Sequence, residues 1–389
     1  MSETRLMEGS EVFADAMVRA GCRFFAGYPM TPFTEVLEHM ATALPPVGGV
    51  CINAESELEA VGMVWGAAAT GTRAATGSTG QGLSLMQESI AEASLAGIGF
   101  VVLNMARGQG DYFQATRGGG HGDYRTPVLA PSGPSEVSEL MAEAFELADR
   151  WRNPVVVLGD YYMAHTWVDM DVTDSPPDPP DCPDWALDGT SGGTGAAKLV
   201  SPLGTTKQRD GVGYDLAAQY ADRARRRAEM EAGIAPRAEL TDTDDAEVVV
   251  VAYSTMARYA HAAVTELRRE GLAVGLVRPV TLWPFPGDAV REAGRGAHTI
   301  VVYENNAGQM IDDVRLSVLG ATPVVGHNGF ATDSSAFGIA PDVTVENLTS
   351  ALREVLATPR EGRADDDRPH AGDQLAADRH GAGSGEDLT

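Results

Sequence analysis

The chain has 389 residues, of which 43% are hydrophobic and 22% are charged, so it can form two globular domains with sizeable cores. Its 29 basic and 55 acidic side chains give a formal net charge of −26, which argues against nucleic acid and anionic membranes as partners. The three cysteines are far apart and include no Cys-x-x-Cys pair, so this chain alone cannot form a four-thiolate zinc or iron–sulfur site.

The N-terminal sequence MSETR is followed by no apolar signal segment, and no run of about 18 uncharged apolar residues occurs. The odd cysteine count also argues against a disulfide framework. Cys22 and Cys51 lie among apolar neighbours, where reduced and buried thiols are expected. We therefore expect a cytoplasmic protein that is not exported and does not enter a membrane.

Helical and extended patterns alternate between residues 11 and 165. Apolar residues at helical spacing predict a first helix that includes Val12 and Ala20, with Gly21 as its C-cap. Short apolar runs then predict strands at 23–26, 50–53, 73–77, 100–103, 127–129 and 155–158. Further helices are predicted at 32–44, 57–70, 83–96 and 135–151. This alternation implies an α/β fold, a doubly wound parallel sheet with helices on both faces.

The pattern breaks from residue 169 to about 245, where a Pro-rich segment at 175–180 and a Gly/Thr-rich segment at 189–195 occur. One helix is predicted in this region, from Tyr214 to Glu231. Its cluster of four arginines could dock a partner, but a solvated helix face is the favoured interpretation.

Regular patterns return with apolar strands at 248–253, 273–277, 299–303 and 322–325 and an amphipathic helix at 257–270. These elements predict a second, smaller α/β domain. We therefore divide the chain into a first domain at 1–168, an extended linker with one helix at 169–245 and a second domain at 246–358. An acidic tail at 359–389 has almost no apolar content and is expected to be disordered.

The segment YPMTP at 28–32 follows the first predicted strand. Thr31 suits a helix N-cap and Pro32 suits the first helical position, so a helix start explains this segment structurally. The same geometry permits a functional role, because strand ends and helix N-termini line the ligand crevice of open parallel sheets. Both interpretations stay open, and the structural one is favoured on the residues alone.

Glu57 stands at the head of the helix predicted at 57–70. Ser56 and Glu59 have the spacing of a capping box, which accounts for Glu59 but leaves Glu57 unexplained. A partly desolvated carboxyl group at this position can share a proton with a ring nitrogen. The structural interpretation of this carboxylate is nevertheless favoured on spacing alone.

Arg107 follows an apolar strand and precedes the short segment Gly108-Gln109-Gly110. Its guanidinium suits a substrate carboxylate, although a surface ion pair is the more common use of such an arginine. His121 lies in the glycine-rich run RGGGHGDY at 117–124, and a lone histidine there is weak evidence of chemistry.

Several motifs are absent. The segment nearest to a phosphate-binding loop, GGTGAAK at 192–198, has the wrong spacing, and neither a GxSxG elbow nor an HExxH helix occurs. The Gly-Asp-Gly segment that begins a thiamine-diphosphate magnesium site is also missing. The chain by itself therefore offers no complete cofactor or metal site.

Taken together, these residues resemble the alpha-type subunit of the 2-oxoacid:ferredoxin oxidoreductases, and the branched-chain (2-oxoisovalerate) type is the most similar. The resemblance covers about residues 5–355. The strings that carry it are GCRFFAGYPMTP at 21–32, AESE at 54–57, SLMQE at 84–88, DYFQATRGGGHGDYR at 111–125 and RPVTLWPFP at 278–286.

The resemblance implies a pyrimidine-binding thiamine-diphosphate domain followed by a transketolase C-terminal-like domain. Carried over by position, Glu57 would hydrogen-bond the aminopyrimidine ring of thiamine diphosphate, and Pro29 would offer its carbonyl group to the same ring. Thr31 and Arg107 would hold the carbonyl and carboxylate groups of the 2-oxoacid. No metal ligand is assigned to this chain.

The resemblance also implies oxidative decarboxylation of a 2-oxoacid, preferably a branched-chain one, with 2-oxoglutarate and pyruvate as further candidates. Coenzyme A would take the acyl group and ferredoxin the electrons. A beta subunit would carry the diphosphate site, its Mg²⁺ and an iron–sulfur cluster, because this chain lacks the residues for them. Gamma and ferredoxin-like subunits could complete the complex.

Two departures from the family pattern bear on activity. Met30 stands where isoleucine is usual, and about ten further Gly- and Pro-rich residues are expected between Arg107 and the string that begins at Asp111. The short loop motivates one alternative, a non-catalytic binding or scaffolding paralogue. A second alternative is a transketolase-like 2-oxoacid dehydrogenase beta-type subunit that passes its acyl group to lipoamide.

Overall fold

The computed structural model describes residues 2–173, 178–187, 216–329 and 343–358. The predicted disordered tail at 359–389 and the segments at 189–195 and 192–198 lie outside these residues. Fourteen strands occur in the described ranges: β1 Ser2–Glu8, β2 Phe24–Gly27, β3 Val50–Asn53, β4 Ala74–Ser78, β5 Val101–Ala106, β6 Val128–Leu129, β7 Val155–Asp160, β8 Trp167–Thr173, β9 Ala238–Thr241, β10 Val248–Val251, β11 Val274–Pro279, β12 Thr281–Trp283, β13 Thr299–Glu304 and β14 Val324–Asn328.

Twelve α-helices alternate with these strands along the same part of the chain. They are α1 Gly9–Arg19, α2 Thr34–Ala43, α3 Glu57–Ala69, α4 Gln81–Ala96, α5 Tyr112–Arg117, α6 Pro134–Trp151, α7 Tyr161–His165, α8 Leu216–Gly233, α9 Ser254–Arg269, α10 Gly287–Gly294, α11 Met310–Val318 and α12 Val345–Ala357.

The first domain is built on a seven-stranded sheet in the order β12-β6-β7-β5-β4-β2-β3. Its six strands from the first domain pair in parallel, and β12 joins β6 in antiparallel orientation. Helices α1, α2 and α6 bury apolar side chains against one face, and α3 and α4 do so against the other. Because both faces are covered, the strands need apolar side chains in both directions, as the sequence showed. The predicted doubly wound α/β fold is confirmed.

The second domain contains a five-stranded sheet in the order β14-β13-β10-β11-β9. Strands β10, β11, β13 and β14 are parallel, and only β9 pairs in antiparallel orientation among the described strands of this sheet. Helices α9 and α12 pack over the side chains of β10 and β13 that point to one face. The predicted smaller α/β domain is thus present, and its helix α9 begins at Ser254, three residues earlier than expected.

The two domains are joined through the sheet of the first. Strand β12, from the second half of the chain, extends that sheet, and the Ala130 amide donates to the carbonyl oxygen of Val280 at 2.8 Å. One apolar core continues across the boundary and includes Tyr112 and Tyr253, whose ring centroids are 5.6 Å apart. The second domain therefore packs directly against the loops that follow the first-domain strands.

Several elements differ from the predictions, among them β1, β8 and α2. Strands β1 and β8 form an antiparallel pair that the sequence pattern did not indicate, and β8 continues to Thr173. Helix α2 begins at Thr34 and not at Pro32, and Phe33 occupies its N-cap position, so the prediction that Thr31 caps this helix is wrong. The reason is packing: the Phe33 ring is fully buried against Gly27 and Gly77, and the chain turns there before the helix can start.

Helix α8 agrees with the predicted linker helix, and its arginines form ion pairs one turn apart with acidic residues of the same helix. Two such pairs are Arg225 with Glu229 and Arg227 with Glu231. Arg225 and Glu229 are exposed, whereas Arg223, Arg226 and Arg227 are half-buried. The favoured interpretation as a solvated helix face therefore holds for Arg225 and not for the whole cluster.

Candidate active site

The carboxyl ends of β2, β3, β4 and β5 lie along one edge of the seven-stranded sheet. Strand β3 lies on one side of β2 in the sheet, and the next strand along the chain, β4, lies on the other side of β2. The strand order therefore reverses between β2 and β4. Crevices at such reversal points are where open parallel sheets bind ligands. Pro29, Glu57 and Arg107 each follow one of these strands, and the fold therefore places all three at this edge.

Glu57 is the first residue of α3, and only 2% of its surface is exposed. The hydroxyl group of Ser78, the last residue of β4, donates a 2.9 Å hydrogen bond to Glu57 Oε1. From the described part of the chain, this is the one hydrogen bond that the Glu57 carboxylate receives. A buried carboxylate with a single fixed oxygen is suited to a hydrogen bond with a ligand.

The capping box is only partly formed. Ser56 occupies the N-cap position of α3 with an extended backbone, as predicted, but its hydroxyl group bonds the carboxylate of Glu59 and not a backbone amide. This exposed pair accounts for Glu59. Glu57, the neighbouring residue, has no capping role. Helix capping therefore does not explain this buried carboxylate, and a functional role is the favoured interpretation.

Gly82, in the first turn of α4, allows the Glu57 carboxylate to lie against the helix. A Cβ atom at this position would be 1.9 Å from Ser78 Oγ and 2.3 Å from Glu57 Oε1. Both distances are far below van der Waals contact, so any side chain at Gly82 would displace the carboxylate. The glycine is required here for the close approach of a helix backbone to a side chain.

Arg107 and Thr31 are brought together, as the resemblance implied. The Nε atom of Arg107 donates to the carbonyl oxygen of Thr31 at 3.2 Å, and one of its terminal nitrogens lies 3.4 Å from Gln81 Oε1. Thr31 is exposed and Arg107 is half-buried. These two bonds orient the guanidinium at the rim of the crevice, and its planar donor set is of the kind that binds carboxylates.

Pro29 lies two residues beyond β2 and is exposed. Strand β2 ends in register with β3, and the Ala54 amide donates to the carbonyl oxygen of Gly27 at 2.9 Å. This pairing brings the segment after β2 alongside the segment that leads to Glu57. The carbonyl group of Pro29 is therefore carried on the same sheet edge as the Glu57 carboxylate.

Sequence analysis missed the turn that supports Glu57. In the segment GSTG at 77–80, Ser78 bonds Glu57, and the buried Thr79 hydroxyl has no hydrogen-bond partner among the described residues. The amide of Gly80 donates to Asp111 Oδ2 at 3.0 Å, and the Asn104 side-chain amide donates to the same oxygen at 2.8 Å. A Gly/Ser/Thr-rich segment directly after a buried strand was the available signal for this turn.

One group of possible metal ligands occurs in the described residues. It contains Glu88 and Glu92 of α4 and His121 of the glycine-rich loop, with ligand atoms within 4.8 Å of one another. Exposed carboxylates commonly lie this close without an ion, and the His121 side chain is 72% exposed. This group therefore adds nothing to the candidate site.

Two family models match the chain. Residues 15–179 match a family described as pyruvate flavodoxin/ferredoxin oxidoreductase, thiamine diphosphate-binding. Residues 246–332 match the core domain II of pyruvate:ferredoxin oxidoreductase. Among the described helices, none is long and apolar enough to cross a membrane.

Similar proteins carry related names. The ketoisovalerate oxidoreductase subunit VorB of Methanothermobacter thermautotrophicus is 38% identical over 324 residues, which cover 81% of this chain and 90% of that protein. The 2-oxoglutarate synthase subunit KorA of Methanothermobacter marburgensis is 33% identical over 356 residues, covering 83% and 94%.

A solved structure shares the fold. It is a 2-oxoglutarate:ferredoxin oxidoreductase from Magnetococcus marinus, with a TM-score of 0.76 and 24% identity, covering 91% of this chain and 65% of that one. The agreement in fold and the sequence identity with the archaeal subunits lead to one conclusion. The chain belongs to the family of 2-oxoacid:ferredoxin oxidoreductase subunits.

Proposed function

We propose that this chain is the subunit that binds the aminopyrimidine ring of thiamine diphosphate, together with the 2-oxoacid, in a 2-oxoacid:ferredoxin oxidoreductase. The proposed substrate is a branched-chain 2-oxoacid, which is decarboxylated oxidatively to an acyl-coenzyme A while ferredoxin receives the electrons. The observation that carries the proposal is the buried Glu57 carboxylate at the strand-order reversal, held by Ser78 and backed by Gly82.

The residues around Glu57 fit the aminopyrimidine ring. Ser78 orients one carboxylate oxygen, and the second receives no hydrogen bond from the described residues. The partnerless Thr79 hydroxyl group adds a buried polar atom beside this turn. When bound, thiamine diphosphate supplies the electron sink for loss of carbon dioxide. The role of Glu57 is to hold and return a proton at a ring nitrogen, which requires a fixed carboxyl group shielded from water.

Arg107 and Thr31 are proposed to hold the 2-oxoacid. The guanidinium offers a planar set of donors that matches a carboxylate, and its bonds to Thr31 and Gln81 restrict its rotation. The hydroxyl group of Thr31, an exposed residue between β2 and α2, is assigned to the substrate carbonyl oxygen. A substrate held at both groups would present its keto carbon to the crevice beside Glu57.

We further propose that a partner subunit completes the site. The chain has no Gly-Asp-Gly segment and only three cysteines, so the diphosphate–Mg²⁺ site and the iron–sulfur cluster are assigned to a beta subunit. Helix α3 supports this arrangement, because Leu58 and Met63 are 53% and 39% exposed. Gly62 and Gly66 also face open space on this helix. An exposed apolar helix face beside Glu57 is typical of a surface that another subunit covers.

The branched-chain preference rests on the ketoisovalerate oxidoreductase subunit at 38% identity. The 2-oxoglutarate synthase subunit at 33% identity makes 2-oxoglutarate the next candidate. A non-catalytic paralogue remains the competing function, because the loop after Arg107 is short. Against it, Arg107 contacts Thr31 although the loop is short.

The decisive experiment is Glu57→Gln in the complex reconstituted with its beta subunit, thiamine diphosphate and coenzyme A. We expect 2-oxoacid-dependent reduction of a viologen dye to fall by about 100-fold or more, because the amide cannot exchange the proton. The matched control is Glu59→Gln, two residues away on the same helix, which should retain activity. Wild-type turnover in the Glu57 variant would refute the assignment, and no turnover of any 2-oxoacid by the wild type would favour the non-catalytic paralogue.

A further inference from the structure

The loop between β5 and α5 consists of residues 107–111, and its alternate residues contact three different parts of the molecule. Arg107 bonds the carbonyl oxygen of Thr31, Gln109 bonds the second domain, and Asp111 bonds the amide of Gly80. The loop therefore joins the substrate-binding arginine to both a neighbouring strand end and the other domain.

Gln109 makes the interdomain part of this connection and is only 4% exposed. Its side-chain amide donates to the carbonyl oxygen of Tyr253 at 3.0 Å, and its Oε1 accepts the Asn305 amide at 2.8 Å. Its backbone N–H donates to the Asn305 carbonyl oxygen at 3.1 Å, and its carbonyl oxygen accepts from the Asn306 side chain at 2.9 Å. Both ends of the side chain and both backbone groups are thus used.

The second-domain side of this contact is itself fixed. Glu304 is buried, and its carboxylate accepts the backbone amides of Gln309, Met310 and Ile311 at 2.9–3.2 Å. These bonds close the turn that presents Asn305 and Asn306, so the turn offers Gln109 a rigid surface. Gln309 then returns to the loop, where its side-chain amide donates to the Gly110 carbonyl oxygen at 2.9 Å.

The second domain lies close to the backbone of this loop. A Cβ atom at Gly108 would lie 3.2 Å from the carbonyl oxygen of Asn305, so the second domain lies directly against the loop backbone. Asp111 closes the other end by accepting Gly80 and Asn104 donors at 3.0 and 2.8 Å. A five-residue segment anchored at its centre and at both ends has little freedom to move.

We propose that Gln109 is a positioning residue for substrate binding: by fixing the 107–111 loop against the second domain, it holds the Arg107 guanidinium where the carboxylate of the 2-oxoacid binds. This proposal rests on the proposed function of the chain. Loss of Gln109 should leave the chemistry intact but free Arg107 to adopt other orientations, which weakens substrate binding.

The test compares Gln109→Met with Glu136→Gln in the reconstituted complex. Methionine fills the space of glutamine without either side-chain hydrogen bond, whereas Glu136→Gln weakens a different interdomain contact, the 3.0 Å ion pair with Arg278. We expect Gln109→Met to raise the KM for the 2-oxoacid about tenfold, with kcat changed less than about threefold. Glu136→Gln should leave both constants near wild type.

A double-mutant cycle separates positioning from general loosening of the fold. Arg107→Lys alone should raise the KM for the 2-oxoacid, because lysine lacks the planar donor pair. If Gln109 acts through Arg107, the double variant Gln109→Met/Arg107→Lys should have the KM of Arg107→Lys alone. Additive effects on KM would overturn the proposal.

Hydrogen exchange of the purified chain provides a readout that needs no turnover. The amides of 107–111 should exchange faster in Gln109→Met than in the wild type and in Glu136→Gln. Unchanged exchange at these amides would overturn the proposal that Gln109 fixes the 107–111 loop, even if the wild-type complex is active. Conversely, faster exchange in the Gln109→Met chain, combined with a wild-type complex that oxidises no 2-oxoacid, would support the role of Gln109 in fixing the loop while refuting the proposed function. The two failures are therefore distinguishable.

Discussion

Gly82→Ala tests the geometry around Glu57 without changing any polar group. The added Cβ would lie 2.3 Å from Glu57 Oε1, whereas ordinary contact begins at 3.4 Å. The carboxylate must therefore move by about 1 Å, and a misplacement of that size lowers turnover by about 100-fold. The Ser78 hydroxyl group, at 1.9 Å from the same Cβ, must move as well, which breaks its hydrogen bond to Glu57.

The effect on stability should be much smaller than the effect on turnover. Overpacking destabilises by about 1–3 kcal/mol, while alanine is more favourable than glycine in a helix by about 1 kcal/mol. The net loss of at most about 2 kcal/mol is small beside a typical unfolding free energy of about 5–15 kcal/mol. The variant should therefore fold, and its low activity should not result from unfolding.

The assay is 2-oxoacid-dependent viologen reduction by the reconstituted complex, with urea unfolding of the purified chain in parallel. The control is Gly296→Ala, because a Cβ at Gly296 has no atom within 4 Å among the described residues. We expect the control to keep wild-type turnover. Near-normal turnover in Gly82→Ala would mean that the Glu57 carboxylate is not held in the orientation described, and the reasoning would be refuted.

Two further predictions concern buried titratable groups. Burial raises the pKa of Asp160 above its ordinary 3.8, although hydrogen bonds from Met163 and from Thr255 of the second domain oppose the shift. The protonated acid is therefore favoured on folding, so the stability due to this group should fall as pH rises from about 4 through the raised pKa. Asp160→Asn should remove that decline. If urea unfolding at a series of pH values shows the same decline in the variant, the prediction is wrong. Burial also raises the pKa of the Cys22 thiol to about 12, whereas Cys182 is exposed, so Cys182 should react first with a thiol reagent and Cys22 only after denaturation. Rapid labelling of Cys22 in the native chain, detected by peptide mass spectrometry, would contradict this.

Much of the first domain could be predicted because its strands and helices are indicated by patterns of neighbouring residues in the chain. Apolar runs located the starts of β2, β3, β4, β5 and β7 within one residue, and parallel strands necessarily place the residues after them at one edge. The position of Glu57 at this edge followed from the pattern, whereas its role was implied by the family resemblance. The short strand β6 was also predicted, at 127–129, whereas the three-residue β12 contains too few residues to show a period, and its pairing with the first sheet was not foreseen.

The helix cap assigned to Thr31 failed for a different reason. The local residues suit a cap, but Phe33 fits between Gly27 and Gly77 of two strands, and that burial outweighs a cap worth about 1 kcal/mol. Such a contact depends on how the strands are ordered in the sheet, which spacing along the chain does not reveal.

By itself, the sequence determined the α/β class, the candidate residue Glu57, and the lack of a cluster-forming cysteine set and of a Gly-Asp-Gly segment. Only the tertiary structure decided that Ser78 and Gly82 hold Glu57 and that Gln109 joins Arg107 to the second domain. The physical reason is that hydrophobic periodicity depends only on residues that are close together in the chain. Hydrogen bonds such as that between Gln109 and Tyr253 join residues far apart in the chain, and these partners are chosen by packing.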